Sequence, residues 1–309
     1  MADRDELHRT GRDASLRALR RQVGQTVPMR RGLHVAADDW TRLAPYERYA
    51  RRVSAAVSAL RDPVLCFESA AVRHALPVFG EPRDIHLLHM GRGHSYRRGD
   101  VLAHTSMAER EIVRVDGVRM TSKLETAIDL ARVLPLAFGV AVVDAALRSG
   151  LTSDDLERRI RELPNRRGAR IGHAALKAAD ARSESVLESV SRVVLELLGF
   201  ESPEPQAEFV VNGRVRRVDA WWRSVRVIGE ADGRAKYAQP TDSSTALVLR
   251  EERRRENELQ IAAGRVIRWE WSDVVRVEPF ERILVAAGIP RIRPRSPEVF
   301  AAVRNPRSR

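Results

Sequence analysis

The chain has 309 residues, 43% of them hydrophobic and 31% charged, with one cysteine and a formal net charge of +12. That length predicts two domains, each able to close a core, and the composition excludes a disulfide-stapled scaffold, a disordered chain and a polytopic membrane protein. The longest nearly apolar run, Leu134 to Val143, holds a proline and a glycine and is too short to span a bilayer. Residues 1–31 have no apolar stretch of the kind a secretory signal needs, and the lone Cys66 suits a reducing cytoplasm.

The positive charge points to a polyanionic partner, DNA above all, because neutralising phosphates releases counterions. Lys123, Lys177 and Lys236 are the only lysines, so the excess is arginine, which the codon usage of a GC-rich genome can also generate. Eight arginines stand against four acids in residues 1–31, and six against Glu298 alone in the segment from Arg291 to Arg309. Both ends read as basic arms, either solvated or in contact with nucleic acid.

In chain order, residues 1–31 read as one or two helices ending at Pro28. Arg30–Val35 then reads as a short strand with a glycine turn, suited to the wing of a small winged helix. Pro45–Arg61 carries Tyr49, Val53, Val57 and Leu60 at helical spacing. Short β-prone pieces follow at Val64–Phe67, Ile85–Met90 and Val101–His104, separated by Gly, Pro and Arg clusters. Ser122 and Glu125 fit a capping box opening a helix toward Leu134. Further helices are expected over Pro135–Arg148 and Ser153–Leu163, with a loop at Pro164–Gly168 and a domain boundary between Gly168 and Ala181.

The second half has the order α-β-β-β-α-β-α. Glu184–Leu198 is an amphipathic helix stopped by Gly199. Strands follow at Ala207–Val211, Arg214–Trp222 and Val225–Asp232, the first two joined by the Asn212-Gly213 turn. A helix over Ala246–Ala263, a strand over Arg265–Trp271 and a helix over Pro279–Ala287 complete the series. The expected class is therefore mixed α/β (α+β). The expected divisions are 1–35 (winged-helix arm), 36–175 (mixed α/β), 176–290 (C-terminal domain) and 291–309 (basic tail).

Asp219, Glu230 and Asp232 form the constellation with chemical content. If Arg223-Ser224 is a two-residue loop, Asp219 opposes Ile228 and lies on the same face as both other acids, within reach of a shared divalent ion. Such an ion could activate water against a phosphodiester. The competing reading pairs Asp219 with a strand arginine and makes Glu230-Ala231-Asp232-Gly233 an ordinary strand end. Glu188 falls opposite the apolar stripe of its helix, as a solvated residue would. His86, His89, His94 and His104 suggest zinc, but His86 and His89 would point to opposite strand faces and no cysteine is near. Trp221, Trp222, Trp269 and Trp271 are core or base-stacking candidates. Asp129 is expected to pair with an arginine. Arg250–Glu258 reads as a salt-bridged helix face on which Arg253 and Arg254 could meet phosphate.

These residues resemble a family. The element order, with Asp on the second strand and Glu on the third, resembles the PD-(D/E)XK nuclease core, a restriction-endonuclease-like fold. Ser185–Ser189, Gln206, Arg217-Val218-Asp219, Val227–Gly233 and Lys236-Tyr237 look like the very-short-patch-repair-type (Vsr-like) endonuclease domains at the C-terminus of many actinobacterial proteins, over about Ala181–Ala287. Leu65–Ala71, Leu76-Pro77, Thr121-Ser122 and Ile128–Ala131 look like the AbiEi-like antitoxin regions, with a winged helix, that precede such domains.

The resemblance implies a Mg²⁺-dependent DNA endonuclease with Asp219 and Glu230 as metal ligands, Asp232 beside them and Glu188 as a nearby helix-borne carboxylate. The alternative is a non-catalytic DNA-binding antitoxin-like or regulatory protein that keeps the nuclease fold without turnover, for which a cognate toxin would be a partner. Asp232 stands where the nuclease motif has lysine, and the histidines of very-short-patch-repair enzymes have no counterpart. Lys236, past the Gly233 turn, could reach back toward Glu230 in the lysine's place, or merely solvate a loop. Arg214, Arg216 and Arg217 are the expected phosphate contacts on the second strand.

Overall fold

The computed structural model describes residues 8–9, 25–89, 93–106, 108–232, 264–305 and 307–308. The chain is mixed α/β and separates into two units. One comprises Met1–Leu130, Arg158–Arg167 and Asn305–Arg309, and the other comprises Ala131–Glu157 and Gly168–Arg304. The chain thus crosses between the units after Leu130, Glu157, Arg167 and Arg304 rather than once between Gly168 and Ala181, and Asn305–Arg309 belongs to the first unit.

In the first unit, β1 (His8–Arg9), β2 (Thr26–Arg30) and β3 (Leu33–Ala36) make a small antiparallel sheet of order β1-β3-β2. Gly32, at φ +75°, turns the β2–β3 hairpin. Pro28 sits inside β2 beside a register shift, so residues 26–30 are strand where the helix was expected to end, and residues 10–24 lie outside the described residues. A bulge tolerates a residue without an N–H. The expected winged-helix arm over 1–35 is represented among the described residues by this sheet alone.

Two helices follow, α1 (Ala37–Arg42) and α2 (Pro45–Ala59). In α2 the proline fits the first turn and Glu47 Oε2 accepts from the Ala44 amide at 2.7 Å, satisfying one of the amides a helix start leaves open. Tyr49, Val53 and Ala56 recur on one stripe and are fully buried against Leu65, Ile85 and Met120.

Those last three residues belong to a six-stranded mixed sheet. It consists of β4 (Val64–Leu65), β5 (Ile85–Leu88), β6 (Tyr96–Arg98), β7 (Val101–His104), β8 (Ile112–Val115) and β9 (Val118–Thr121), in the order β6-β7-β5-β4-β9-β8. Helix α3 (Phe67–His74) leads out of β4, and α4 (Lys123–Val133) starts where Ser122 Oγ accepts from the Glu125 amide.

The second unit holds α5 (Leu136–Arg148), α6 (Ser153–Glu162, whose later residues belong to the first unit), α7 (Ala169–Lys177) and α8 (Val186–Leu198). Ser185 caps α8 by accepting from the Glu188 amide at 3.1 Å, and Gly199 ends it at φ +83°. Leu187, Val190, Val194 and Leu198 line its buried stripe.

Four strands follow as a sheet of order β10-β11-β12-β13: β10 (Glu204–Val211), β11 (Arg214–Trp222), β12 (Val227–Ala231) and β13 (Arg265–Trp269). The first three run antiparallel and β13 lies parallel to β12. Trp222, Gly229 and Trp269 pack so tightly that a β-carbon on Gly229 would lie 2.6 Å from the Trp269 ring. Trp269 donates its indole N–H to Ser191 Oγ of α8 at 2.7 Å, and Trp221, Trp222 and Trp269 are all buried, so these indoles form core. Helices α9 (Trp271–Arg276) and α10 (Glu278–Ala286) end the series. The expected helix over Ala246–Ala263 lies outside the described residues.

The expected basic tail is not an arm. Residues 291–293 pair with Phe200 and Gly199, Ser296 N donates to Leu197 O, and Val299, Ala302 and Val303 are buried. Arg291 and Arg295 are held by Glu281, and Arg307 by Glu68, so much of the charge at this end is neutralised within the protein.

Candidate functional site

The register of the four-stranded sheet decides which acids meet. Ala220 pairs with Gly229, Trp221 with Ile228 and Trp222 with Val227, because the connection is four residues, Arg223–Arg226, with Arg226 at φ +54°. The expected two-residue loop is therefore corrected. The ladder ends at Ala220–Gly229, and beyond it the Ala231 amide meets the Asp219 side chain, so Asp219 lies by the end of β12 and not opposite Ile228. Both loops contain an even number of residues, so the alternation that groups Asp219 with Glu230 survives the change.

Asp219 Oδ2 accepts from the Ala231 amide at 2.8 Å, which pins the carboxylate to the end of β12. On one side, Gln206 lies between the Pro205–Ala220 and Ala207–Val218 pairs and hence opposite Asp219. On the other, Glu230 pairs with Arg268 of β13. Gln206 thus faces Asp219 across β10 and β11, and Glu230 faces Arg268 across β12 and β13.

Helix α8 joins on the Gln206 side. Glu188 Oε2 accepts from Gln206 Nε2 at 2.7 Å and from the Glu184 amide at 2.9 Å. The helical-wheel reading of Glu188 as a solvated residue is overturned: it is half-buried and tied to the sheet. Gln206 reaches it from a left-handed backbone conformation, φ +53°, which a non-glycine side chain adopts only at a cost in strain. Asp232 follows β12, its amide continuing the parallel ladder to Trp269 O, and its Oδ2 lies 3.5 Å from Arg268 Nη1.

Among the described residues, no group of three or more His, Cys, Asp and Glu side chains is gathered as a metal-holding cluster. Asp219 is bound to the Ala231 amide next to Glu230, and Asp232 lies against Arg268. Lys236, Arg253 and Arg254 lie outside the described residues. Arg214 and Arg216 sit near the β10–β11 turn, Arg214 exposed and Arg216 half-buried. Arg217 pairs with Glu184 at 2.7 Å, so its charge is partly spent inside the protein. Sequence reasoning missed Arg268, whose partnership with Glu230 depends on the parallel pairing of two strands separated by 33 residues.

The first unit holds a second polar centre. Glu68, 3% exposed, takes Arg307 Nε and Nη2 on its two carboxylate oxygens at 2.5 and 2.7 Å. His86 Nε2 lies 3.3 Å from Glu68, and His86 Nδ1 bonds His104 Nε2 at 2.8 Å. Burial pushes both imidazoles down to about 4, so each is neutral at pH 7. Burial raises the Glu68 carboxyl, but the Arg307 hydrogen bonds and the neighbouring charges together hold it below its usual value. The zinc reading of the histidines gives way to this hydrogen-bonded line. Asp129 pairs with Arg110 at 2.6 Å, as expected.

No protein-family model matches the chain, and no solved structure matches it. Two curated relatives do: "Uncharacterized protein MT2308" of Mycobacterium tuberculosis (strain CDC 1551 / Oshkosh) and "Uncharacterized protein Rv2248" of Mycobacterium tuberculosis (strain ATCC 25618 / H37Rv). Each is 31% identical over 146 residues, or 46% of this chain and 53% of the relative. The chain thus spans about half the length of the curated relatives it matches. Among the described residues, no helix is long and apolar enough to cross a membrane.

Proposed function

We propose that the second unit binds DNA and, with Mg²⁺, hydrolyses its phosphodiester bonds in the cytoplasm, in the manner of a Vsr-like PD-(D/E)XK endonuclease. The observation that carries this reading is the hydrogen bond from the Ala231 amide to the Asp219 carboxylate, which holds that carboxylate at the end of β12 beside Glu230, with Arg268 paired to Glu230 on one side and the Gln206–Glu188 bond on the other. The donors fit the ion in kind, since hard carboxylate oxygens are what Mg²⁺ takes. Asp219 and Glu230 would hold it, with Asp232 at the strand end.

Bound there, the ion would supply a water of lowered pKa and neutralise charge on the scissile phosphate. The protein's own groups do the rest. The Ala231 amide fixes the Asp219 carboxylate, and Gln206 fixes Glu188. Arg268, paired with Glu230 across the strands, would bind a phosphate oxygen and stabilise negative charge that develops on it. Arg214 and Arg216 extend a cationic approach along the hairpin.

A second reading has its own support. Arg268 already sets a positive charge beside Glu230 and Asp232, which offsets the carboxylates without any metal. On this reading the domain is a non-catalytic, antitoxin-like or regulatory DNA-binding module with a toxin as partner.

Cleavage of plasmid and single-stranded DNA by the purified protein, with Mg²⁺ and with EDTA, separates the two. The nuclease reading expects metal-dependent cutting that Asp219→Ala reduces at least about 100-fold. Undiminished cutting by Asp219→Ala, or DNA binding without any cutting, removes it.

A further inference from the structure

Arg307 and Ser308 lie in an extended groove of the first unit that reads them separately. Arg307 O accepts from the Arg83 amide at 2.9 Å, Ser308 forms an antiparallel bridge with Pro82, and Arg83 Nε donates to Ser308 O at 3.0 Å. The Glu81 amide donates to Ser308 Oγ at 2.9 Å, and Asn305 Nδ2 donates to Phe79 O at 3.2 Å. Gly80, at φ +70°, makes room: a β-carbon there would collide with the Ser308 side chain.

The anchor is Arg307. Its two N–H groups meet both oxygens of buried Glu68, and its guanidinium lies 5.5 Å from the Phe67 ring centre. Phe67 is held at φ +48°, a strained conformation for a bulky residue, with its ring 4.5 and 5.7 Å from the rings of His104 and His86. A fork that meets a carboxylate with two bonds and stacks on an aromatic ring selects arginine over lysine.

The walls of the groove come from residues 66–104, where Ser69 Oγ accepts from the His86 amide and His86 bonds His104. The strap is distant in sequence, 227 residues separating Glu81 from Ser308. Main-chain pairing together with one side-chain anchor is how a folded domain recognises an extended peptide. The strap's main-chain pairing is short, one bridge to Pro82 and one bond from the Arg83 amide, and so short a pairing can open locally, ahead of global unfolding.

We propose that this groove is an arginine-anchored peptide-binding site, and that Asn305, Arg307 and Ser308 are its exchangeable intramolecular occupant, a strap that keeps Glu68 covered. The buried carboxylate makes the open groove demand a cation, because a lone charge there is costly. Held in cis at an effective concentration of roughly millimolar, the strap outcompetes dilute peptides of its own sequence.

The test uses the full chain and a fluorescein-labelled, amidated peptide of residues 303–309, followed by anisotropy. Arg307→Ala should bind the peptide at least about tenfold more tightly than the parent does, since its own strap no longer competes. A peptide with alanine at the Arg307 position should bind this variant at least about tenfold more weakly. No binding to Arg307→Ala, or equal binding of the two peptides, overturns the proposal. Amide exchange on the unaltered protein is a check that needs no variant. The Arg83 and Glu81 amides should exchange at least about tenfold faster than the His86 amide; exchange at one common rate would mean a permanent structural element, and the proposal fails.

Discussion

Gln206 donates its side-chain amide to Glu188 at 2.7 Å, joining the first strand of the C-terminal sheet to the first turn of the helix packed on it. Glu188 also accepts from the Glu184 amide, so one carboxylate closes the helix start and anchors the sheet. Gln206→Ala should therefore cost about 1.5–3 kcal/mol, the usual worth of a hydrogen bond to a charged group, read as a lower urea midpoint. An unchanged midpoint would show that the amide contributes nothing to stability.

Gly229→Ala should be worse tolerated than its size suggests. The added methyl meets Trp269 at 2.6 Å and Trp222 at 2.8 Å, both rings fixed in the core. Overpacking of this kind costs about 1–3 kcal/mol, and the displacement falls next to Glu230. Thermal unfolding should move to lower temperature, with any DNA cleavage lost in parallel.

The imidazoles of His86 and His104 titrate near 4 in the folded chain, well below their ordinary value of 6.5. In the unfolded chain they take up protons between about pH 7 and pH 4, while the folded form does not. Stability therefore falls as the pH drops through that window, by about 1.4 kcal/mol for each pH unit of separation per group at most. Glu68, held low mainly by Arg307, adds a loss in the same direction at still lower pH. Urea midpoints at pH 7.5, 6 and 4.5 should decline in order, and His86→Gln together with His104→Gln should flatten the decline.

Arginines differ in what they offer DNA. Arg214 is exposed near the hairpin turn, whereas Arg291 is held by Glu281 at 2.5 Å. Arg214→Ala should reduce the log–log salt slope of DNA binding by about 0.9, and Arg291→Ala should leave it unchanged. Equal slopes for the two variants would separate net charge from DNA contact.

Asp144 is fully buried, accepts from the Asp180 amide at 2.7 Å and pairs with Arg192 at 2.9 Å. Asp144→Ala leaves a half-buried guanidinium and an amide without this acceptor. A loss of about 3–5 kcal/mol is expected, enough to leave little folded protein at 37 °C by circular dichroism.

Much of this protein is fixed by local rules that the sequence displays. Periodicity and caps located the helices at Pro45–Ala59, Lys123–Val133, Leu136–Arg148 and Val186–Leu198, and the Asn212-Gly213 turn defined the hairpin of the C-terminal sheet. The pairing of Asp129 with an arginine was legible too, since a carboxylate in an apolar helix needs a counter-charge. Tertiary structure decided the rest. The four-residue connection at Arg223–Arg226 set Trp221, not Asp219, opposite Ile228, because ladder register depends on loop conformation as well as loop parity. Arg268 met Glu230, and Arg307 met Glu68, across long separations that no spacing encodes. The arginines near the end of the chain looked like a solvated arm only because composition cannot tell a charge facing water from one meeting a buried carboxylate.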